Sequence, residues 1–183
     1  GKWYDLGAWE KPHFLWPDAY NDRFGVYDTQ KMWGDKRFFY ITLEDAHYAN
    51  GILGFLNSSI IPMLIEIDGI TNLGEGAVYT NVYQLKSISV PKVTGANRNE
   101  IDTSLLALKT REALSVFEEF GATSSDFVSL EKIKIEKRRL DEIVMGDILG
   151  LSEEEQLEVY KCVFSLVITR LERAKSLKKG MKT

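Results

Sequence analysis

The feature that most constrains this chain is a long apolar repeat near its end, which predicts one continuous helix. The repeat follows Ser152-Glu153-Glu154-Glu155, a pattern typical of a helix N-terminus in which a serine and a glutamate cap each other's backbone. Apolar residues then recur at alternating steps of three and four, at Leu157, Tyr160, Phe164, Val167, Leu171 and Ala174. Because this spacing keeps them on one helix face, we expect that face, the apolar seam, to pack against the rest of the chain.

The periodicity divides the chain near residue 92. Residues 1–92 carry short β-type runs, such as 37–43 after the Gly34-Asp35 turn, together with helical runs at 45–57 and 60–67. Residues 93–183 carry helical periodicity after a loop at 93–98. The sequence therefore predicts an α+β fold, with a small mixed or antiparallel sheet and helices in the N-terminal half and a helical C-terminal part that ends in a long helix. We expect the helical part to pack on residues 1–92, as one compact unit, or to serve as a spacer.

Several local elements follow from turn and cap residues. The dipeptide Trp16-Pro17 and the following Asp18 predict a turn, and Thr71 to Ala77 predict a glycine loop that needs positive φ or a close backbone approach. Residues 78–83 and 87–90 predict two strands joined by a turn at 84–86. One helix is predicted over 99–120, with Leu105 and Leu106 buried and Gly121 as its C-terminal cap.

Composition limits the class of protein. The 183 residues are 44% hydrophobic, contain one cysteine and include no apolar run of the roughly 18 residues that a membrane helix needs. We therefore expect an ordinary globular domain without disulfides or membrane contact, located in the cytoplasm. The chain begins at Gly1 without an initiator methionine, which leads us to expect a piece of a longer polypeptide. The net charge of −4 argues weakly against strong binding to nucleic acid.

The usual signatures of catalysis are absent from the sequence. His13 and His47 stand apart from any cysteine or acidic cluster, so a metal site has little support. Gly74-Glu75-Gly76 is followed by Tyr79 where a dinucleotide fingerprint needs glycine, and neither a P-loop nor a G-x-S-x-G elbow is present. We expect no catalytic residue, metal or cofactor in this chain.

Short patterns nevertheless follow one another in a specific order. They are KPHFLWPD at 11–18, FGVYDT at 24–29, FFYI at 38–41, LGFLNS at 53–58, GITNLGEGA at 69–77 and VYQLKSISVP at 82–91. In this order they resemble the C-terminal target-recognition region of N-6 adenine-specific DNA methyltransferases of restriction-modification systems. In that family a Gly-x-Thr-x-x-Gly-x-Gly-Ala loop leads to a closing Val-Pro. Patterns at 139–144, 149–154 and 170–175 resemble the family's helical tail, and the Leu-Asn-Ser pattern is also similar to type I specificity subunits.

The resemblance implies a function in DNA sequence recognition and assigns catalysis to another part of the polypeptide. Adenine methyltransferases need an Asn-Pro-Pro-Tyr-type motif to hold the flipped base. The four prolines of this chain follow Lys11, Trp16, Ile61 and Val90, so the chain contains no Asn-Pro or Pro-Pro pair and cannot carry this motif. The implied partners are duplex DNA and an upstream methyltransferase domain, which alone would bind S-adenosylmethionine.

Two loops are the candidates for contact with DNA. Their polar, basic and glycine residues are Asn21, Arg23, Gln30, Lys31, Lys36, Arg37, Thr71, Asn72, Gly74 and Gly76. Side chains of this kind read base edges and hold phosphates, and glycines let backbone N–H groups approach an anion. Each residue also has a structural explanation, as a solvated turn residue in the first loop or as part of a turn that closes the sheet in the second.

The alternative hypothesis is a protein-interaction or assembly module that uses the long C-terminal helix, with possible self-association through helices. The two hypotheses differ in what they require. DNA recognition needs the loops at 21–37 to form a basic face, whereas assembly needs an exposed apolar stripe on the helix. A third reading, an independent enzyme, has the missing motifs against it.

Overall fold

Two small antiparallel sheets lie in the N-terminal half of the molecule. We describe residues 11–29, 33–71, 76–93 and 95–180 of a computed structural model. The strands in this part of the chain are β1 (Phe14–Pro17), β2 (Ala19–Tyr20), β3 (Tyr27–Asp28), β4 (Phe38–Ile41) and β5 (Val78–Tyr79). One sheet has the order β3-β1-β4, and the other pairs β2 with β5. Both are antiparallel, as predicted.

Helices account for most of the remaining described residues. The α-helices are α1 (Ala49–Leu56), α2 (Ile60–Asp68), α3 (Val82–Ser87), α4 (Ala96–Lys109), α5 (Val116–Phe120), α6 (Ile135–Asp141) and α7 (Glu153–Gly180). A π-helical segment, Glu142–Ile148, continues α6, and short 3-10 turns lie at Ala46–Tyr48, Ser125–Phe127 and Leu130–Lys132. The predicted α+β class with a long final helix is confirmed.

The predicted turn at Trp16-Pro17-Asp18 is wrong, because β1 continues through Pro17 and β2 resumes at Ala19. Asp18, the residue between the two strands, joins the two sheets through its backbone. The Asp18 N–H donates to the Arg37 carbonyl at 2.9 Å, and the Asp18 carbonyl accepts from the Thr80 N–H at 2.9 Å. Proline fits here because it ends a strand and needs no N–H partner in the ladder.

The core draws on both parts of the chain. One cluster of buried side chains includes Trp16 and Leu53 from the first part and Ile101 and Leu140 from the second. The other cluster surrounds the apolar seam of α7, where Tyr160, Phe164 and Val167 are at most 1% exposed, and it also includes Ile60 of α2. The predicted packing role of the seam is confirmed, so this face of α7 is already covered by the chain itself.

No single helix in the described part of the chain is long and apolar enough to cross a membrane. The segments 46–56 and 60–68 meet the criterion only when they are counted together, and they are bent by 70° relative to each other.

The prediction of two strands over 78–90 is wrong beyond Tyr79, since Val82–Ser87 forms the helix α3. Asn81 caps this helix by accepting from the Tyr83 N–H at 2.9 Å and the Gln84 N–H at 3.1 Å. The Gln84 side chain in turn accepts from the Asn81 N–H at 2.8 Å. This reciprocal cap stabilises a helical turn where the β-branched residues of the segment favoured a strand.

The single helix predicted over 99–120 is instead two helices, α4 and α5, separated at 110–115. The break leaves Leu105 buried but Leu106 65% exposed, so the predicted burial of Leu106 is wrong. Gly121 ends α5 in the left-handed conformation at φ 57°, which confirms the predicted cap. The helix breaks here because Ser115 is the N-cap of α5: its side chain accepts from the Glu118 N–H in the first turn of the new helix.

The cap of α5 makes stability depend on pH. The Ser115 N–H and hydroxyl both donate to Glu118 Oε2 at 2.8 Å, and these bonds lower the pKa of Glu118 below its usual value of 4.5. A carboxylate with a lowered pKa stabilises the fold above the unfolded-state pKa and loses this effect as the pH falls through the folded-state pKa. We expect Glu118→Gln to unfold at lower urea than wild type at pH 7, and the difference to shrink towards pH 3. The exposed Glu112→Gln serves as the control, and an equal difference at both pH values would contradict the prediction.

Candidate nucleic-acid interface

The ladder of β2 and β5 brings the two candidate loops to one end of a sheet. Tyr20 pairs with Val78, so Asn21, which follows β2, lies beside the segment Gly76-Ala77 that precedes β5. Thr71 is half-buried and follows Ile70, which bridges to Tyr79 on the same ladder. The first loop and the described ends of the second loop are therefore neighbours in the fold.

A buried arginine on the long helix holds these loop ends in place. The Arg170 guanidinium donates from Nε and Nη2 to the Glu66 carboxylate of α2, at distances of 2.6 to 3.1 Å. It also donates from Nη1 to the Gly76 carbonyl and from Nη2 to the Asn21 carbonyl. We call these four groups the Arg170 cluster.

Burial makes the Arg170 cluster structurally important. The side chains of Arg170 and Glu66 are only 5% and 2% exposed. An ion pair in such surroundings is stabilising only when its hydrogen-bonding groups are satisfied, and Arg170 meets this condition with a carboxylate and two backbone carbonyls. The ends of both loops, at Asn21 and Gly76, are thereby linked to α7.

Gly76 has two reasons to be glycine. Its φ of 80° lies in the left-handed region, and an added Cβ would lie 3.0 Å from the Cβ of Ala174 on α7. The positive φ expected in this loop is thus found at Gly76, where the backbone passes close to the helix. This agrees with the structural explanation of the loop at this residue.

The first loop is braced by its backbone and presents its side chains to solvent. The Asp22 carbonyl accepts from the Val116 N–H at 2.7 Å, while the side chains of Asn21 and Arg23 are exposed. The charge of Arg23 also contributes to the lowered pKa of Glu118. Asn21 and Arg23 are therefore accessible on a loop whose backbone is fixed.

Lys36 and Arg37 lie in the turn before β4. The Arg37 side chain, 52% exposed, forms an ion pair with Asp18 at 3.1 Å and lies over the Tyr79 ring at 5.8 Å from its centroid. This ring belongs to β5, so the turn lies against the same ladder as the other loops. Lys36 is exposed.

The remaining candidates, Gln30, Lys31, Asn72 and Gly74, lie outside the described residues. The described ones provide an amide, hydroxyl and cationic donors, which suit phosphate oxygens and base acceptors. Within the described part of the chain, no group of three or more His, Cys, Asp or Glu side chains could hold a metal ion.

The Leu-Asn-Ser pattern has a structural role. Asn57 accepts from the Val26 N–H at 3.1 Å and donates to the Val26 carbonyl at 3.0 Å, so it acts like one residue of a paired strand. The Lys137 ammonium donates to the Asn57 carbonyl at 2.5 Å. The segment between α1 and α2 therefore connects the loop before β3 to α6.

A second buried carboxylate lies next to this segment. Asp141 is fully buried and accepts from the Ser59 N–H and hydroxyl at 2.7 Å each, and from the Tyr160 hydroxyl at 2.9 Å. Burial, with a further contribution from the negative charge of Asp141, raises the pKa of Tyr160 well above its usual value. The Tyr160 hydroxyl therefore stays protonated and remains a donor at neutral pH.

Sequence reasoning missed both carboxylate clusters. Glu66 interrupts the apolar run 60–67, and Arg170 lies between Val167 and Leu171 of the apolar seam. A charge within an otherwise apolar pattern was the available signal, because a side chain placed there is buried and needs a partner.

Comparison with models of protein families, with curated proteins and with solved structures found no match for this chain.

Proposed function

We propose that this chain is a DNA sequence-recognition module that acts with an adenine-specific methyltransferase domain in another part of the polypeptide, in the cytoplasm. The observation that carries the proposal is the Arg170 cluster. By bonding the carbonyls of Asn21 and Gly76, Arg170 fixes the ends of two loops side by side. The sequences at 11–18, 24–29 and 69–77 around these ends resemble those of target-recognition regions. A protein that recognises base edges needs loops with fixed backbones, because a loop that is already ordered loses less conformational entropy on binding.

The residues have different roles in this proposal. The phosphates are held by Arg23, Lys36 and Arg37. These contacts contribute affinity for DNA without sequence preference. In this proposal Asn21 and Thr71 contact base edges, together with Asn72 and Gly74, which follow Thr71 in the sequence. Arg170 and Glu66 act as positioning residues, since they are buried beneath the loops.

The alternative of assembly through the apolar seam has less support. Tyr160, Phe164 and Val167 are buried inside the chain, so they offer no exposed stripe to a partner. Any association through α7 has to use a different face.

The proposal predicts weak, salt-sensitive binding to duplex DNA that depends on the basic loop residues. We expect Arg23→Ala/Lys36→Ala/Arg37→Ala to weaken binding at least about 10-fold at low salt and to reduce the salt slope by about 3, because each phosphate contact releases about one counterion. Fluorescence anisotropy with a randomised duplex pool, at low and moderate salt, measures both quantities.

The control for this experiment removes three positive charges elsewhere, in Lys86→Ala/Lys92→Ala/Arg98→Ala. Because the net charge of the two triple variants is the same, a general electrostatic effect would weaken both equally. Equal losses, or no saturable binding by the wild-type chain, would contradict recognition by these loops.

A further inference from the structure

An apolar groove with an acidic rim lies at the beginning of α7. Its cavity volume is about 940 Å³. Its apolar lining is formed by Ile60, Met63, Leu149, Leu151, Val159 and Cys162. Its rim carries three carboxylates, Glu154, Glu155 and Glu158, all of them exposed. The groove therefore suits an apolar side chain that arrives with positive charges around it.

The C-terminal end of α7 carries such an apolar side chain with positive charges near it. Leu177 is 56% exposed, and Arg173 and Lys175 beside it are exposed as well. The sequence continues with Lys178 and Lys179. An apolar side chain with Arg173 and Lys175 nearby is complementary to the groove in both charge and polarity.

This end cannot reach the groove of its own molecule. α7 is continuous from Glu153 to Gly180, and Leu177 lies 22 positions after Glu155, a separation of about 33 Å at the rise of an α-helix. A rigid helix holds the two regions apart, so the complementary end has to come from another molecule.

The face of α7 between the two regions permits close approach. Residues at helical spacing along it are Glu158, Cys162, Ser165, Thr169 and Arg173. Glu158, Thr169 and Arg173 are exposed, and Cys162 and Ser165 are half-buried. The face is thus acidic at one end, small in the middle and basic at the other, and small side chains allow helix axes to approach to about 8 Å.

We propose that two copies of this chain associate through this face, with their α7 helices antiparallel and related by a two-fold axis between Ser165 and Leu166. In this register Glu158 lies opposite Arg173 of the second copy, and Cys162 lies opposite Thr169. Leu177 of each copy enters the groove of the other. The same contact is made twice, as a two-fold axis requires.

The register is tested by an engineered disulfide in the full chain. Thr169→Cys places a thiol opposite Cys162, the single natural cysteine. Treatment with diamide, which takes up the two thiol hydrogens, should convert most of the variant to a covalent dimer on non-reducing gels. Wild type, Ser87→Cys and Cys162→Ser/Thr169→Cys should stay largely monomeric in the same gel. Cross-linking of Ser87→Cys to the same extent would show random collision and would overturn the proposed register.

The charge pattern is tested by a swap. Sedimentation equilibrium of the wild type at low salt should show a dimer that weakens as salt increases. Glu154→Lys/Glu158→Lys and Arg173→Glu/Lys175→Glu should each associate at least about 10-fold more weakly, whereas an equimolar mixture should restore the dimer because both contacts become attractive again. A monomeric wild type at 100 µM, or a mixture no stronger than its components, would overturn the proposal. Circular dichroism shows whether each variant is folded.

Discussion

Arg170→Met should lower the free energy of unfolding by about 3–5 kcal/mol, because it leaves the Glu66 carboxylate buried without its partner. The Glu66 side chain is 2% exposed, so water cannot replace the guanidinium without opening the interface between α2 and α7. The carbonyls of Asn21 and Gly76 lose their donor in the same variant. Urea denaturation followed by circular dichroism measures the change.

Two further variants separate the ion pair from the packing of the side chain. Arg139→Met, on an exposed position of α6, should change stability by less than about 0.5 kcal/mol. Glu66→Leu/Arg170→Met should recover much of the loss, since it removes both buried charges. If Arg170→Met unfolds at the same urea concentration as wild type, the Arg170 cluster does not hold the loops.

Asp141→Ala should have a comparable effect of about 3–5 kcal/mol, because three buried donors lose one acceptor. The donors are the Ser59 N–H, the Ser59 hydroxyl and the Tyr160 hydroxyl. They connect the turn between α1 and α2 to α6 and α7, so all of these elements should loosen together. The same urea measurement applies.

The controls for Asp141 use a single donor and a nearby exposed carboxylate. Tyr160→Phe removes one of the three donors and should cost about 1 kcal/mol. Asp147→Ala, on an exposed position of the π-helical segment, should be nearly neutral. An Asp141→Ala variant as stable as Asp147→Ala would contradict the assigned role.

The parts of the fold that could be predicted are those fixed by local sequence. Ser152 and Glu155 begin α7 as predicted, with the Glu155 carboxylate accepting from the Ser152 N–H at 2.8 Å. Gly121 ends α5 for an equally local reason, its positive φ. Where the sequence prediction failed, at α3 and at the break between α4 and α5, a short-range cap at Asn81 or Ser115 overrides the apolar pattern.

The candidate site was less predictable, because its geometry depends on contacts across the chain. The polar loop residues could be chosen from composition and resemblance, but Arg170 and Glu66 are separated by more than a hundred positions and no local pattern pairs them. The ladder between β2 and β5 is equally non-local. Only the fold reveals that one side chain holds the ends of both loops.

The position of Arg170 near the end of α7 has a dynamic consequence. Terminal helical turns open more readily than central ones, since they have fewer hydrogen bonds to break. Arg170 is ten residues from the last residue of α7, so an opening that reaches it releases the backbone at Asn21 and Gly76 at the same moment. The backbone at Asn21 and Gly76 and the last turns of the helix therefore form one cooperative unit. A ligand that holds this backbone in place also protects the end of the helix from fraying.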